Sequence, residues 1–189
     1  MNTLVIRAGT DEAGRGPLAG PVVGSAVVLT EEQSKHLLYS GLKDSKKLTE
    51  GAREKIFSII GDIGVIWRAR SASHKRIDNI NILQASLWVM KESILAMPCL
   101  IEHVIVDGNK VIPGLLIRQY AVVKADASIP EVMAASVIAK VLRDRTMKRL
   151  DAIYPQYGFA KHKGYPTKEH RAAIAKYGPS PIHRLTFKF

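Results

Sequence analysis

A single cysteine, Cys99, stands in 189 residues. It can build neither a disulfide framework nor a cysteine zinc site, and its setting in Ala96-Met97-Pro98-Cys99-Leu100 suits a small buried hydrophobe. Long apolar runs are also missing, so no membrane-spanning helix is expected. The N-terminus lacks the basic, apolar and small-residue succession of a secretory signal, and a cytoplasmic protein is the expectation. Six histidines show no HExxH or comparable zinc spacing. A Walker A loop and a Gly-x-Ser-x-Gly elbow are absent. Gly14, Gly16 and Gly20 faintly suggest a dinucleotide loop, but Pro17 and the valine-rich run after it continue as strand. No helix N-terminus follows to hold a pyrophosphate.

Acid is scarce in one region. Residues 1–139 carry 16 Lys/Arg against 14 Asp/Glu, whereas residues 140–189 carry 12 against 3, and the net charge is +11. A basic surface of this kind favours polyanions, nucleic acid above all, through counterion release. On composition alone a merely solvated basic face serves equally well. The length suits one domain: residues 1–150 as a catalytic core, and 151–189 as a basic extension of the same structural unit.

No internal repeat or low-complexity segment interrupts the chain. Strands are expected at Leu4–Gly9, Pro21–Thr30, Gly64–Ala69, Val104–Val106 and Leu115–Lys124. Thr49 is a plausible cap for a helix through Ile60. Two long helices are expected, Ile77–Ala96 and Pro130–Leu150, then a loop-like stretch Tyr154–Thr167 and a short helix near Lys168–Lys176. Mixed strand steps with long helices predict an α/β protein, a mixed sheet flanked by helices, with a helical and loop C-terminal extension.

Four acids stand out on this frame. Asp11 and Glu12 open a loop after the first strand, and Asp107 and Asp126 each follow an apolar strand. Aspartate after a strand is an ordinary turn former, as Asp107-Gly108 illustrates. Three strand-end aspartates plus Glu12, however, match the hard oxygen donors that one or two Mg²⁺ or Mn²⁺ ions need on a phosphodiester. Adjacent acids such as Asp11-Glu12 repel unless something positive lies between them.

The run Asp-Glu-Ala-Gly-Arg-Gly-Pro-Leu-Ala-Gly-Pro-Val-Val at 11–23 resembles the opening signature of the type 2 ribonucleases H, ribonuclease HII. Further blocks agree in order: Asp44-Ser45-Lys46-Lys47-Leu48, Val106-Asp107-Gly108-Asn109, Ala134 to Val141 with Arg143-Asp144, His162-Lys163-Gly164-Tyr165, and Gly178-Pro179-Ser180-Pro181. The resemblance implies an RNase H-like fold that cleaves RNA in RNA–DNA hybrids and incises DNA duplexes 5′ to embedded ribonucleotides. No extra N-terminal domain is expected, which argues against ribonuclease HIII. The family's metal-binding and catalytic acids fall on Asp11, Glu12, Asp107 and Asp126. Gly14-Arg15-Gly16 matches the loop that reads the 2′-hydroxyl, and Tyr165 the tyrosine that packs on the sugar. Lys46 and Lys47 match a basic pair for backbone phosphate, and Ser136 and Lys140 match helix positions facing nucleic acid.

Other residues receive plainer readings. Asp144 is taken as an i, i+4 partner of Lys140 or Lys148, and Arg143, Arg145, Lys148 and Arg149 as a surface for non-specific phosphate attraction. His162 and His170 are read as surface or phosphate-facing residues. Two departures from the family pattern are Ala125, where glycine is more usual, and Lys75-Arg76, where an acid is common. A monomer is expected. The tail Leu185-Thr186-Phe187-Lys188-Phe189 could dock on a replication clamp, though a packing strand or frayed end suits it better. Two rival readings are a non-catalytic nucleic-acid-binding module and an RNase H-like nuclease acting on DNA alone. The first predicts binding indifferent to divalent ions, and the second cleavage of an all-DNA duplex.

Overall fold

β-branched residues dominate the second strand, and it sits where such residues pack best, near the middle of a five-stranded sheet. The structure is a computed structural model that describes residues 6–189. The strands are β1 (Arg7–Ala13), β2 (Val22–Val28), β3 (Ile66–Ala72), β4 (His103–Asp107) and β5 (Arg118–Val122), ordered β3-β2-β1-β4-β5. β1 pairs antiparallel with β2 and β2 with β3, while β1–β4 and β4–β5 are parallel.

The helices are α1 (Glu31–Tyr39), α2 (Glu50–Asp62), α3 (His74–Ile80), α4 (Ile82–Leu95), α5 (Pro130–Ile153), α6 (Phe159–His162) and α7 (Lys168–Tyr177). α5 covers one face of β1 and β2, and α4 the other. Gly9 makes the first of these contacts close: a Cβ there would meet the Glu131–Val132 backbone at 2.5 Å. Ala134, Ala135 and Ala139 extend the small-residue surface of α5, and all three are fully buried. On this side Val27, Ile56, Ile60, Val137 and Ile138 form one apolar cluster. On the other, Ala26, Leu87, Met90 and Val104 form a second.

The structure differs from the sequence expectation in several places, and β3 and β5 take the bounds Ile66–Ala72 and Arg118–Val122 in place of 64–69 and 115–124. β1 runs to Ala13 because its pairing with β2 continues through Glu12↔Gly24 and Ala13↔Val23. Asp11 and Glu12 are therefore strand residues rather than loop residues; Leu4 and Val5 lie outside the described residues. The expected helix Ile77–Ala96 is two helices. Asn81 between them takes φ 64° and ψ 165°, an extended positive-φ conformation that is costly for any residue but glycine, and its side chain caps α4 by accepting from the Gln84 N–H. α1 was not anticipated, although Thr30 and Gln33 form a reciprocal capping box. The stretch Tyr154–Thr167 holds a 3₁₀ turn, Pro155–Tyr157, and α6.

Candidate active site

Strand alternation decides which acids meet. Successive side chains of β1 point to opposite faces, so Asp11 faces α5 while Glu12 faces the α4 side. Asp107 ends β4, and Asp126 sits in a 3₁₀ turn, Ala125–Ala127, entered through Lys124 at φ 60°. Each of Asp11, Asp107 and Asp126 offers one oxygen within 4.8 Å of the others. Glu12 stands beside this trio but outside it, with Arg15 Nη1 at 3.4 Å from its Oε1.

The trio is electrostatically uncomfortable as it stands. Burial pushes the Asp11 carboxyl well above its ordinary pKa, and the charges of Glu12 and Asp107 push it further. The Ser136 hydroxyl and the Glu12 N–H act the other way. Glu12 and Asp107 are also raised, again chiefly by burial. Buried like charges with hard oxygen donors fit a divalent cation, which would satisfy all of them together. The nearest positive group is Lys46, whose Nζ donates to Asp126 Oδ2 at 2.8 Å; this bond raises the lysine's pKa.

A cleft of about 290 Å³ opens over the acids. Its walls include the Gly14-Arg15-Gly16 loop, Ser45, Lys46, Ser136, Lys140 and Tyr165, as well as Asp11, Glu12 and Asp107. Lys140 donates to Asp144 at 2.8 Å, and Arg53 reaches the other oxygen of Asp144 at 3.5 Å. Ser45, absent from the sequence reading as a site residue, shares a 2.8 Å hydrogen bond with Ser136. Its signal was adjacency to Lys46. Lys47 is exposed and does not line the cleft. The Tyr165 ring stands opposite Gly16: a Cβ on that glycine would lie 3.6 Å from the ring.

Beneath the cleft, Arg143 overturns the expectation that it joins a basic surface, and a second arginine, Arg184, is buried beside it. Arg143 is fully buried and donates to the carbonyls of Pro21, Lys163 and Ala19. Arg184, also fully buried, donates to Gly14 O at 2.6 Å, Arg15 O at 2.9 Å and Gly20 O at 3.0 Å. Burial lowers their pKa values to about 10 and about 9. Among the described residues neither has a carboxylate partner at ion-pair distance. In a trans peptide the N–H points opposite to the C=O. Drawing the Gly14 and Arg15 carbonyls onto Arg184 therefore turns the Arg15 and Gly16 N–H groups away from it. Gly14 itself has φ 105° and leaves no room for a Cβ against Arg143. One signal for Arg143 was available: it follows Ala139 and precedes Met147 at four-residue spacing on the apolar face of α5. Arg184 had none.

His162 and His170 are likewise not at the surface, with 8% and 0% exposure. Both pack against Phe159 and against each other, and His170 also packs with His183, because these rings fill the interior of the C-terminal segment. Arg145 and Lys148 are exposed but paired with Glu54 and Glu50, and Arg149 is exposed. Asp144 pairs with Lys140 rather than Lys148. Ala125 is fully buried against Ile105 and Val132, so its methyl group is used in packing. Arg76 lies over the Trp88 ring, 3.9 Å from its centroid. The tail forms no strand; Asp78 accepts from the Leu185 and Thr186 N–H groups, and Phe187 packs inward.

Clustered strand-end carboxylates under a basic, glycine-lined cleft define a metal-dependent nuclease of RNase H-like fold. A family model described as Ribonuclease HII matches residues 8–189. Ribonuclease HII of Acinetobacter baylyi is 48% identical over 180 residues, covering 95% of this chain and 93% of that protein. Ribonuclease H2 of Pyrococcus horikoshii superposes with TM-score 0.80 at 33% identity, over 97% of this chain and 94% of that one. The RNase HII solved with PCNA from Archaeoglobus fulgidus gives TM-score 0.77 at 31% identity, over 97% and 96%. The chain belongs to the ribonuclease HII family, the divalent-metal-dependent endoribonucleases of RNA–DNA hybrids. Among the described residues no helix is long and apolar enough to cross a membrane.

Proposed function

We propose that this chain hydrolyses the phosphodiester on the 5′ side of a ribonucleotide, in RNA–DNA hybrids and at single ribonucleotides embedded in DNA, leaving 3′-hydroxyl and 5′-phosphate ends. The supporting observation is the juxtaposition of the Gly14-Arg15-Gly16 loop, Tyr165 and the three-aspartate cluster around one cleft. Glycine permits close approach of backbone donors to a 2′-hydroxyl, the one group that separates RNA from DNA at such a site. Tyr165 closes the slot by packing on the neighbouring sugar.

Asp11, Glu12, Asp107 and Asp126 would hold Mg²⁺ or Mn²⁺, which supplies Lewis acidity for activating water and stabilising the leaving 3′-oxygen. Lys46 has a largely exposed side chain whose Nζ is held by Asp126, so it is suited to exchange that carboxylate for a substrate phosphate. Lys140, kept beside the cleft by Asp144, and Ser136 face the same strand; Lys47 adds charge from outside. In this reading residues 1–150 carry the chemistry and 151–189 contribute Tyr165 to it. Clamp docking would fall to the exposed Leu185 and Phe189, since Phe187 is used in packing.

The test compares a DNA duplex bearing one ribonucleotide with its all-DNA counterpart, each with Mg²⁺, with Mn²⁺ and with chelator. Metal-dependent incision 5′ to the ribonucleotide alone is the expected result. Cleavage of the all-DNA duplex would remove the proposed sugar reading. Tight binding without incision under either metal would leave only a binding module.

A further inference from the structure

We propose that His170, backed by His183, is a positioning residue for Tyr165, holding its backbone through a one-way hydrogen-bond relay of neutral imidazoles. The inference rests on reading Tyr165 as a sugar contact.

The direction of the relay follows from its backbone donors. The Ser180 N–H points at His183 Nδ1 from 2.8 Å, so that nitrogen is an acceptor and the proton of the neutral ring lies on Nε2. His183 Nε2–H then donates to His170 Nε2 at 3.0 Å. That leaves the His170 proton on Nδ1, where it donates to the Tyr165 carbonyl at 2.9 Å. The Ser180 hydroxyl, 2.7 Å from His183 Nδ1, can join only as a donor. His162 is set in the same way: the Gly164 N–H donates to its Nδ1, and its Nε2–H donates to Tyr157 O.

This arrangement has a reason at Tyr165. Two successive residues before it, Lys163 at φ 53° and Gly164 at φ 82°, are left-handed, so no helical ladder carries the tyrosine. Tyr165 is nevertheless 39% exposed, lining the cleft with Gly16 and Lys140. An exposed aromatic side chain keeps a useful orientation only if its backbone is held. The Tyr165 carbonyl accepts from both His170 and the Thr167 N–H, and its N–H donates to His162 O. His162 and His170 stack at 4.4 Å between ring centroids, joining the two holds.

Only neutral rings satisfy the relay. A proton added to His170 would set an N–H against the His183 N–H. Burial and the neighbouring His162, Arg171 and His74 all lower the pKa values of this pair, that of His183 to about 4.

The experiment uses the whole protein and steady-state kinetics on the single-ribonucleotide duplex. In His170→Asn the carboxamide N–H takes the place of Nδ1–H and keeps the hold on Tyr165. In His170→Gln the carboxamide falls at Nε2, keeping the His183 contact and losing Tyr165. Tyr165→Ala and His170→Gln are expected to lose about tenfold in kcat/KM, and His170→Asn to stay within about threefold of the parent protein. In the Tyr165→Ala background, His170→Gln should cost nothing more. Equal kinetics for the two His170 variants, or additive losses in the double variant, would overturn the inference. Parental kinetics in Tyr165→Ala would instead remove the reading beneath it. Should the variants not fold, ¹H–¹⁵N imidazole spectra of the unmodified protein decide: a proton on His170 Nδ1 and His183 Nε2 supports the relay, and a proton on His170 Nε2 ends it.

Discussion

Two neighbouring regions bury ionisable groups and resolve them in opposite ways. In the cleft, Asp11, Asp107 and Asp126 crowd together, and burial with like charge raises Asp11 and Asp107. Beneath it, Arg143 and Arg184 are surrounded by carbonyls, and the buried histidines are matched donor to acceptor. Backbone oxygens can satisfy a buried guanidinium, whose planar fork offers five donors. Lys46 reaches one of the three carboxylates, Asp126, but among the described residues no cation lies at ion-pair distance from Asp11 or Asp107. The unresolved charge therefore stands where a metal ion belongs, and the resolved charge stands where a loop must be rigid.

The sharpest break of this comparison is Asp107→Asn. It keeps shape and hydrogen-bonding capacity while removing a ligand charge, so incision should fall on the order of a thousandfold or more with the fold intact. Turnover at the parental rate, with an unchanged circular dichroism spectrum, would sink the assignment.

Arg184→Met should act on the other region. It removes the donors for the Gly14, Arg15 and Gly20 carbonyls, and a loss of about 2–4 kcal/mol in denaturant unfolding is expected. Unchanged stability would mean that water replaces the guanidinium without cost.

Acidification separates the regions by sign. The folded pKa of His183, about 4, lies below its ordinary 6.5, so the folded state binds fewer protons there. Its stabilising share is full above pH about 6.5 and is lost as pH falls toward about 4, a ceiling of roughly 3 kcal/mol. Asp11 runs the other way: its folded pKa is raised, so its share is full below the ordinary carboxylate range and is lost as pH rises through the folded value. Urea titrations from pH 7 to pH 5 without metal should show a net slope. Asp11→Asn should steepen the loss on acidification, and His183→Gln should flatten it. A slope indifferent to both variants would contradict the electrostatic account.

The smallest effect is the most diagnostic. Asp11→Asn should stabilise the metal-free protein by about 1 kcal/mol at pH 7, because it removes a buried like charge. Added Mn²⁺ should raise the Tm of the parent and leave the variant nearly unmoved. A variant less stable than the parent without metal would show that the aspartate is held by more than its repulsions reveal.

Legibility divided along the same line. Valine-rich Val22–Val28, the Thr49 cap and the apolar run ending at Asp107 were readable because each is a local pattern. The Thr30–Gln33 capping box that opens α1 is equally local. Arg143, His162 and His170 were misread as solvent-facing because basic residues in a basic tail look alike before burial is known. The partners of Arg184 lie more than 160 residues away, at Gly14, Arg15 and Gly20, beyond any periodicity.

Residue type and order alone supply the chemistry: four acids, a Gly-Arg-Gly loop and a tyrosine. Tertiary structure decided which of them meet. Strand alternation sends Asp11 toward α5 and Glu12 toward the opposite face, and the pairing of β1 with both β2 and β4 brings Asp11 to Asp107. It also decided which charges lose water, since desolvation and carbonyl partners come from chain segments that only folding brings together.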